Sequence, residues 1–564
     1  MIAGGGPCGL TLANELGRRG IRCLLVDRKP GTAFNPQANA TQARTMEHFR
    51  RLGFAHRVRA LGLPPDHPTD IAYLTRFAGH ELARLRLPTA RQATDVIKTM
   101  GGSWSAAELP HRVSQKFVEV VLREEAQALP GIELRYGWNL LDFEDDGTQV
   151  RARIAPVDAA QGSASARALQ TVQAHYMLAA DGARSSVRAS LGIEWEGVTG
   201  LKRSFMGGRM FAAYLRVPGF YERNANDRAW MYVQVHPELR SFIMSVDGVS
   251  EFAFHTQVPE GVDPDSLTAD DAKHWFARAF GEALDVEVLS TGHWLAGHAL
   301  VARAFRHGRV FLGGDAVHLF TPTGGLGYNT AVEDAVNLGW KLAAVLRGEA
   351  SQDLLDSYEA ERQPLALRNT GYARSFADSI GLFDAVPELD DDTPAGAAAR
   401  VSASDYLNGH ARREFNIPGV TFGGRYDSSP VICHDDTPPP PDAANSYQPS
   451  AKPGGRPPHL WLPDGTSLYD HFGFDWTLLV IDAPVRADEA AVQRFADLAA
   501  QRHVMLKLLR FVAPEVNAAL HALYEAPLVL IRPDHIVAWR GADPPAAGAV
   551  WRRVLPAAAP APDV

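Results

Sequence analysis

Apolar positions recur at helical spacing through Leu10, Leu12, Ala13 and Leu16 up to Gly20, and the next apolar run, Cys23-Leu24-Leu25-Val26, ends on Asp27. Turn, helix, strand and acid in that order predict the start of a βαβ unit. A polar stretch over 32–41 precedes a helix expected over 42–52, ending near Gly53, and another helix is expected over 114–129. Strand-like runs follow at 132–136, 149–154 and 174–180. From about 201 to 298 the period changes to two, as in Met231-Tyr232-Val233-Gln234-Val235, 241–246 and 251–255, which predicts an inserted antiparallel sheet. Alternation puts Trp230, Tyr232 and Gln234 on one face and Met231, Val233 and Val235 on the other. The α/β pattern resumes at Arg309-Val310-Phe311-Leu312 and a helix over 330–346. Residues 418–458, rich in Pro, Gly, Asp and Ser and containing Pro438 to Pro441, read as an extended linker. Beyond it a compact αβ module is expected, with strands at 477–481 and 504–508, a helix at 489–501 and a hairpin around 528–540. The final Ala-Pro tail reads as disordered.

The first turn carries Gly4-x-Gly6-x-x-Gly9. Gly4 and Gly6 permit a tight turn and close approach of a pyrophosphate, Gly9 lets the helix pack on the sheet, and the helix N-terminus offers unpaired N–H groups to phosphate. Asp27 is placed to accept hydrogen bonds from a ribose. Only Met1, Ile2 and Ala3 precede the turn, against about five residues in a usual strand, so the first strand is short or the natural start lies upstream.

A chain of 564 residues is expected to hold two to four domains. Its net charge of −9 opposes nucleic-acid binding, and no apolar run approaches a membrane span. With the nucleotide fold starting at once and no room for a signal peptide, a cytoplasmic location is expected. Cys8, Cys23 and Cys433 are too few for a disulfide framework or a cysteine zinc site, and the histidines show no metal-binding spacing, so no metal is expected.

Two further motifs narrow the nucleotide. Leu178-Ala179-Ala180-Asp181-Gly182-Ala183-Arg184 is a strand followed by Asp-Gly, and Phe311-Leu312-Gly313-Gly314-Asp315-Ala316 is a strand followed by Gly-Asp. With the glycine turn they run in the order found in the group A FAD-dependent aromatic hydroxylases, which residues 1–375 resemble. Arg44-Thr45-Met46-Glu47, Ser114-Gln115, the loop Pro322 to Thr330, Trp340-Lys341-Leu342 and Tyr358-x-x-Glu361-Arg362 extend the likeness. Arg425-Tyr426, Pro453-Gly454, Pro458-His459 and Arg532-Pro533-Asp534 look like the thioredoxin-like C-terminal domain of the phenol and polyketide hydroxylase branch. Lacking a Cys-x-x-Cys, that domain is expected to be structural rather than redox-active.

The resemblance implies an α/β fold: a Rossmann-like FAD-binding domain (1–78, 111–200 and 299–378), an inserted antiparallel-sheet substrate domain (79–110 and 201–298), a helical segment and Pro-rich linker (379–458), and the thioredoxin-like domain (459–564). It implies that FAD is held by Gly4, Gly6, Gly9, Asp27 and Arg28, with Asp315 on the ribityl chain and Arg44 and Gln115 at the phosphate and ribityl region. Asp181 would lie near the pyrophosphate and the reduced nicotinamide. The loop Pro322, Gly325, Leu326 and Gly327 would bring backbone N–H groups to the flavin pyrimidine edge. His318 is expected to be a packed histidine without a catalytic role.

The implied reaction has NADH or NADPH reduce FAD, dioxygen add at flavin C4a, and the resulting hydroperoxide transfer oxygen to a phenolic substrate. One face of the inserted sheet should roof the flavin. An acceptor for the phenol proton is expected, with Tyr232 and His255 the side-chain candidates and a water equally compatible. Epoxidation, Baeyer–Villiger insertion or another oxidation of a polyketide-like substrate is the alternative on the same fold, and a non-catalytic nucleotide-binding scaffold is a third reading. A homodimer is compatible with all three.

Overall fold

The computed structural model describes residues 1–157, 169–200, 207–484, 486–542 and 546–557. The Ala-Pro tail from 558 and the expected start of the inserted sheet at 201 lie outside them. A six-stranded sheet runs in the order Arg306–His307, Val310–Leu312, Met177–Ala179, Ile2–Ala3, Cys23–Asp27, Ile132–Tyr136. All its pairings are parallel except that of the first two strands. Ile2–Ala3 sits where the strand order reverses, the place at which open α/β sheets leave a crevice for a ligand. Its two residues are paired on both sides, and the turn extends the pairing: Gly4 N–H donates to Val26 O at 2.8 Å and Ala180 N–H to Ala3 O at 2.7 Å. Helix Pro7–Gly17 packs on Leu326–Leu346 and Gln115–Gln127, burying Leu10, Leu12, Ala13 and Leu16, the residues that the periodicity singled out.

The inserted sheet has seven strands in the order Glu287–Ala296, Gly208–Arg216, Glu251–Gln257, Arg240–Ser245, Met231–Val235, Ile71–Leu74, Glu81–Leu85. It is not wholly antiparallel, because Ile71–Leu74 pairs in parallel with Met231–Gln234. The chain therefore enters this sheet before residue 78, the boundary expected from sequence. One face, carrying Tyr232, Phe252 and Phe254, is covered by helix Ala269–Phe280. The other carries Val233, Phe242 and Met244 toward helices Ser357–Gly381 and Pro394–Phe415. Trp230 shares this second face rather than that of Tyr232, since it precedes the strand and escapes its alternation.

The C-terminal module is a four-stranded sheet, Leu506–Arg510, Trp476–Val480, Leu528–Ile531, Val537–Gly541, with helices Glu489–Gln501, Pro514–Tyr524 and Ala546–Val554. Apart from the short helix Pro418–Phe422, the Pro-rich stretch before it is irregular, as its composition implies, but it is no free spacer. Gly419 N–H bonds Ala444 O, Tyr426 N–H bonds Gly454 O and Cys433 N–H bonds Ala538 O, while Tyr426, Val431, Ile432 and Ala451 are buried. Backbone enclosed this way needs internal partners, and these bonds supply them. No helix among the described residues is long and apolar enough to cross a membrane.

Candidate active site

One cavity of about 1260 Å³ runs from the glycine turn to the inserted sheet. It exceeds the roughly 300–1,000 Å³ of a site for a single drug-sized ligand, so it has room for a dinucleotide and a second molecule. Gly4, Gly6, Asp27, Arg28, Gln115, Asp181 and Asp315 line one half, and Pro322, Gly325, Leu326 and Gly327 stand in the middle. These residues, predicted from separate motifs, are thus brought together around one volume.

Backbone geometry explains the turn. Gly4 has φ +114°, and a Cβ there would stand 2.1 Å from Ala180 O. A Cβ on Gly9, which does not line the cavity, would meet Gly4 O at 1.9 Å, so only glycine lets this helix start directly on the turn. Gly6 differs: a Cβ there would meet nothing within 4 Å and would project into open space. Gly6 also caps the helix without a side chain, leaving the first-turn N–H groups uncapped by any side chain. Asp27 accepts from Gly5 N–H at 2.6 Å and Lys29 N–H at 2.7 Å, which fixes its carboxylate at the strand end.

The residues suit FAD on grounds other than their motif. Asp181 Oδ2 accepts from Ser186 and Val187, whereas its enclosed Oδ1 has no hydrogen-bond partner among the described residues. Asp315 opens onto the cavity, and desolvation pushes its carboxyl pKa up against the lowering influence of His318 and Lys29. Both acids are short of donors, which sugar and ribityl hydroxyls supply. Gln115 Nε2 donates to Glu119 at 2.7 Å, fixing the amide at the cavity wall. The helix Leu326–Leu346 starts at Gly325, whose φ of +65° and lack of a side-chain cap leave the positive end of 21 residues facing the cavity.

Besides Gly9, two expected site residues lie outside the cavity. Arg44 is buried outside the cavity, where Nη2 donates to the carbonyls of Asp534 and His535, both at 2.9 Å, and Nη1 pairs with Glu47 at 3.2 Å. Its helix face turns to the C-terminal module, so it fastens domains instead of binding phosphate. Tyr232 points into the aromatic layer under helix Ala269–Phe280, and its hydroxyl accepts from Ala229 N–H at 2.8 Å. It cannot meet a substrate in this cavity. His318 is the packed histidine expected, bonded to Asp334 at 2.7 Å, with Asp334 also accepting from Arg362 and Gly314.

His255 does line the cavity, stacked on Phe242 with centroids 4.7 Å apart. Trp294 Nε1–H donates to its Nδ1 at 3.2 Å, so in the neutral ring Nε2 bears the hydrogen. Burial pushes its pKa down to about 4. At neutral pH it is a hydrogen-bond donor, not the base expected. The sheet-side wall also holds Tyr73, Arg112, His410, Glu414 and Phe415, which sequence reasoning missed. His410 and Glu414 are an i,i+4 pair on helix Pro394–Phe415, joined at 2.9 Å, and Glu414 Oε1 accepts from Gly324 N–H at 3.1 Å. This carboxylate ties the inserted-sheet half to the glycine loop.

Burial also sets a pH response. His48, His111, His255, His459 and His535 are all held below their ordinary pKa, first by desolvation, His111 and His255 to about 4 and His459 to about 3. The unfolded chain therefore takes up more protons than the folded one below about pH 6.5. Stability should be fully present above that pH and drain away as pH falls toward about 4. Thermal unfolding midpoints taken from pH 7.5 to pH 4.5 should fall steadily, and a flat series would contradict the burial of these rings.

Residues 1–372 match the FAD binding domain family, and residues 450–558 match the aromatic-ring hydroxylase C-terminal family. The chain belongs to the FAD-dependent aromatic hydroxylases. Aklavinone 12-hydroxylase DnrF of Streptomyces peucetius is 34% identical, over 85% of this chain and 90% of the relative. The rebeccamycin biosynthetic enzyme RebC, solved with reduced flavin, superposes with a TM-score of 0.84 at 34% identity, 98% of each chain being covered. The flavin-dependent monooxygenase PieE, solved with FAD and substrate, gives 0.84 at 30% identity over 98% of each chain. This hydroxylase is thus an FAD-dependent aromatic monooxygenase, with the fold class that its sequence predicts.

Proposed function

We propose that this enzyme hydroxylates a multi-ring phenol of the polyketide type, with NADH or NADPH as electron donor and dioxygen as oxidant. The observation that carries this reading is the continuity of one cavity between the acid-lined crevice at Asp27, Asp181 and Asp315 and the aromatic wall at Trp230, Phe242 and Phe415. The relatives named above include an aklavinone hydroxylase, which favours a fused-ring substrate over a single-ring phenol.

FAD, when bound, would supply the passage of two electrons from nicotinamide to dioxygen, one oxygen atom of which goes to the ring and the other to water. Gly4, Gly6, Asp27, Arg28, Asp181, Gln115 and Asp315 would hold it. The uncapped helix end at Gly325 favours negative charge at its tip, and the apolar wall excludes water from the ring being oxidised. His255 offers Nε2–H as a donor to a substrate oxygen. Glu414, the carboxylate on the sheet-side wall, is the side-chain acceptor for a phenol proton.

The test is a panel of mono- and polycyclic phenols assayed for stimulated NAD(P)H oxidation, with product mass measured under isotopically labelled dioxygen. One labelled oxygen per product is the expected result. Stimulated oxidation without incorporation across the panel would defeat the hydroxylase reading for phenols and favour another oxidation.

A further inference from the structure

We propose that the sheet-side end of the cavity is built to take an aromatic ligand bearing an oxyanion, with Arg112 as the group that binds it. Arg112 lines the cavity yet is only 6% exposed. Its guanidinium lies over the Trp230 ring, 4.4 Å from the centroid, and 6.0 Å from that of Phe415. Among the described residues no carboxylate lies within ion-pair distance of it and no acceptor is hydrogen-bonded to it. The nearby Glu414 does not pair with it: one oxygen accepts from Gly324 N–H and the other faces His410. Buried arginines are ordinarily paired, because an uncompensated charge away from water is costly. Arg19, Arg362, Arg456 and Arg532, also buried, all meet carboxylates, and Arg240 donates to the carbonyls of Phe383 and Ile380.

Arg112 therefore faces the cavity with its donors unspent. Desolvation lowers its pKa to about 10, with Glu414 opposing, so it stays cationic at neutral pH. A planar fork held against Trp230 matches the two oxygens of an aryl carboxylate, or one ring oxygen in the form of an acidic phenolate. The walls beside it, Trp230, Val233, Phe242, Met244 and Phe415, fit flat apolar rings. The two sources of the oxyanion share this chemistry, and suitable probes separate them.

The inference rests on the hydroxylase reading of the cavity but is tested by binding, not turnover, so the two fail separately. FAD-loaded enzyme is titrated with 1-hydroxy-2-naphthoate, its uncharged amide 1-hydroxy-2-naphthamide, and 2-nitro-1-naphthol at a pH where that phenol is ionised, following the flavin spectrum and calorimetric heat. The naphthoate should bind about ten- to a hundred-fold tighter than the amide, the range of a charge-assisted hydrogen bond. Arg112→Gln, with unchanged FAD content, should erase that preference, and Arg112→Lys should keep part of it. Tight binding of the nitronaphthol as well would support any ring oxyanion as the ligand, and its failure would assign the site to carboxylates. Equal affinity of wild-type enzyme for naphthoate and amide, no binding of either, or a preference that survives Arg112→Gln would each overturn the proposal. The wild-type comparison decides even where a variant fails to fold.

Discussion

Gly6→Val is expected to purify as a folded but colourless protein. No strain opposes the substitution, because Gly6 has φ −81° and a Cβ there meets nothing within 4 Å. The branched side chain instead occupies the space over the helix N-terminus, where the crevice needs a phosphate to approach backbone N–H groups. Losing a few charge-assisted hydrogen bonds of about 1.5–3 kcal/mol each weakens FAD binding about 100-fold or more. Asp315→Ala is expected to lose flavin too, without loss of fold. Desolvation raises the pKa of its carboxyl, so the substitution removes a group whose charge burial disfavours, and the apoprotein should melt no lower. Gly9→Val is the contrast, since its Cβ would stand 1.9 Å from Gly4 O and the turn must break. The flavin-to-protein ratio and the thermal midpoint separate the cases. Full flavin content in both Gly6→Val and Asp315→Ala would refute the cofactor site.

The half of the cavity proposed to hold FAD was legible because its determinants are local. A glycine turn, an acid at a strand end and a Gly-Asp after a strand each fix geometry within a few residues, so Gly4, Asp27 and Asp315 could be read without knowing what packs on them. The substrate half is assembled from strands and helices far apart in sequence. Arg112, Trp230 and Glu414 meet only after helix Pro394–Phe415 folds back on the sheet, and nothing near any one of them announces the others. Period-two alternation correctly separated Tyr232 from Val233. It could not say which face a helix would cover, and helix Ala269–Phe280 took the side of Tyr232. Arg44 failed for a related reason. Its partners, the carbonyls of Asp534 and His535, come from a module some 490 residues away.

Arg532→Met is expected to loosen that module and, through it, the cofactor site. Arg532 is wholly buried between domains, donating to both oxygens of Glu361 at 2.7 and 2.9 Å and to Asp534 at 2.6 Å, and lying over Trp340 and Tyr426. Glu361 also accepts from Lys341 at 2.7 Å, Asn337 at 2.6 Å and Ser429 at 2.6 Å. Desolvation alone would raise the Glu361 carboxyl, but Arg532 and Lys341 outweigh it and hold its pKa well below the usual range. Removing one partner strands buried charge, at a cost of about 3–5 kcal/mol. Asn337 and Lys341 stand on the same helix as Leu326 and Gly327 at the cavity, and Arg362, next to Glu361, holds the Asp334 that accepts from Gly314 N–H. Undocking should therefore lower the thermal midpoint, open 418–458 to protease and weaken FAD retention together. Glu361→Leu combined with Arg532→Met should recover part of the loss, since the stranded charges are removed as a pair. An Arg532→Met protein that melts like wild type and resists protease would show that the module is held by its apolar contacts instead.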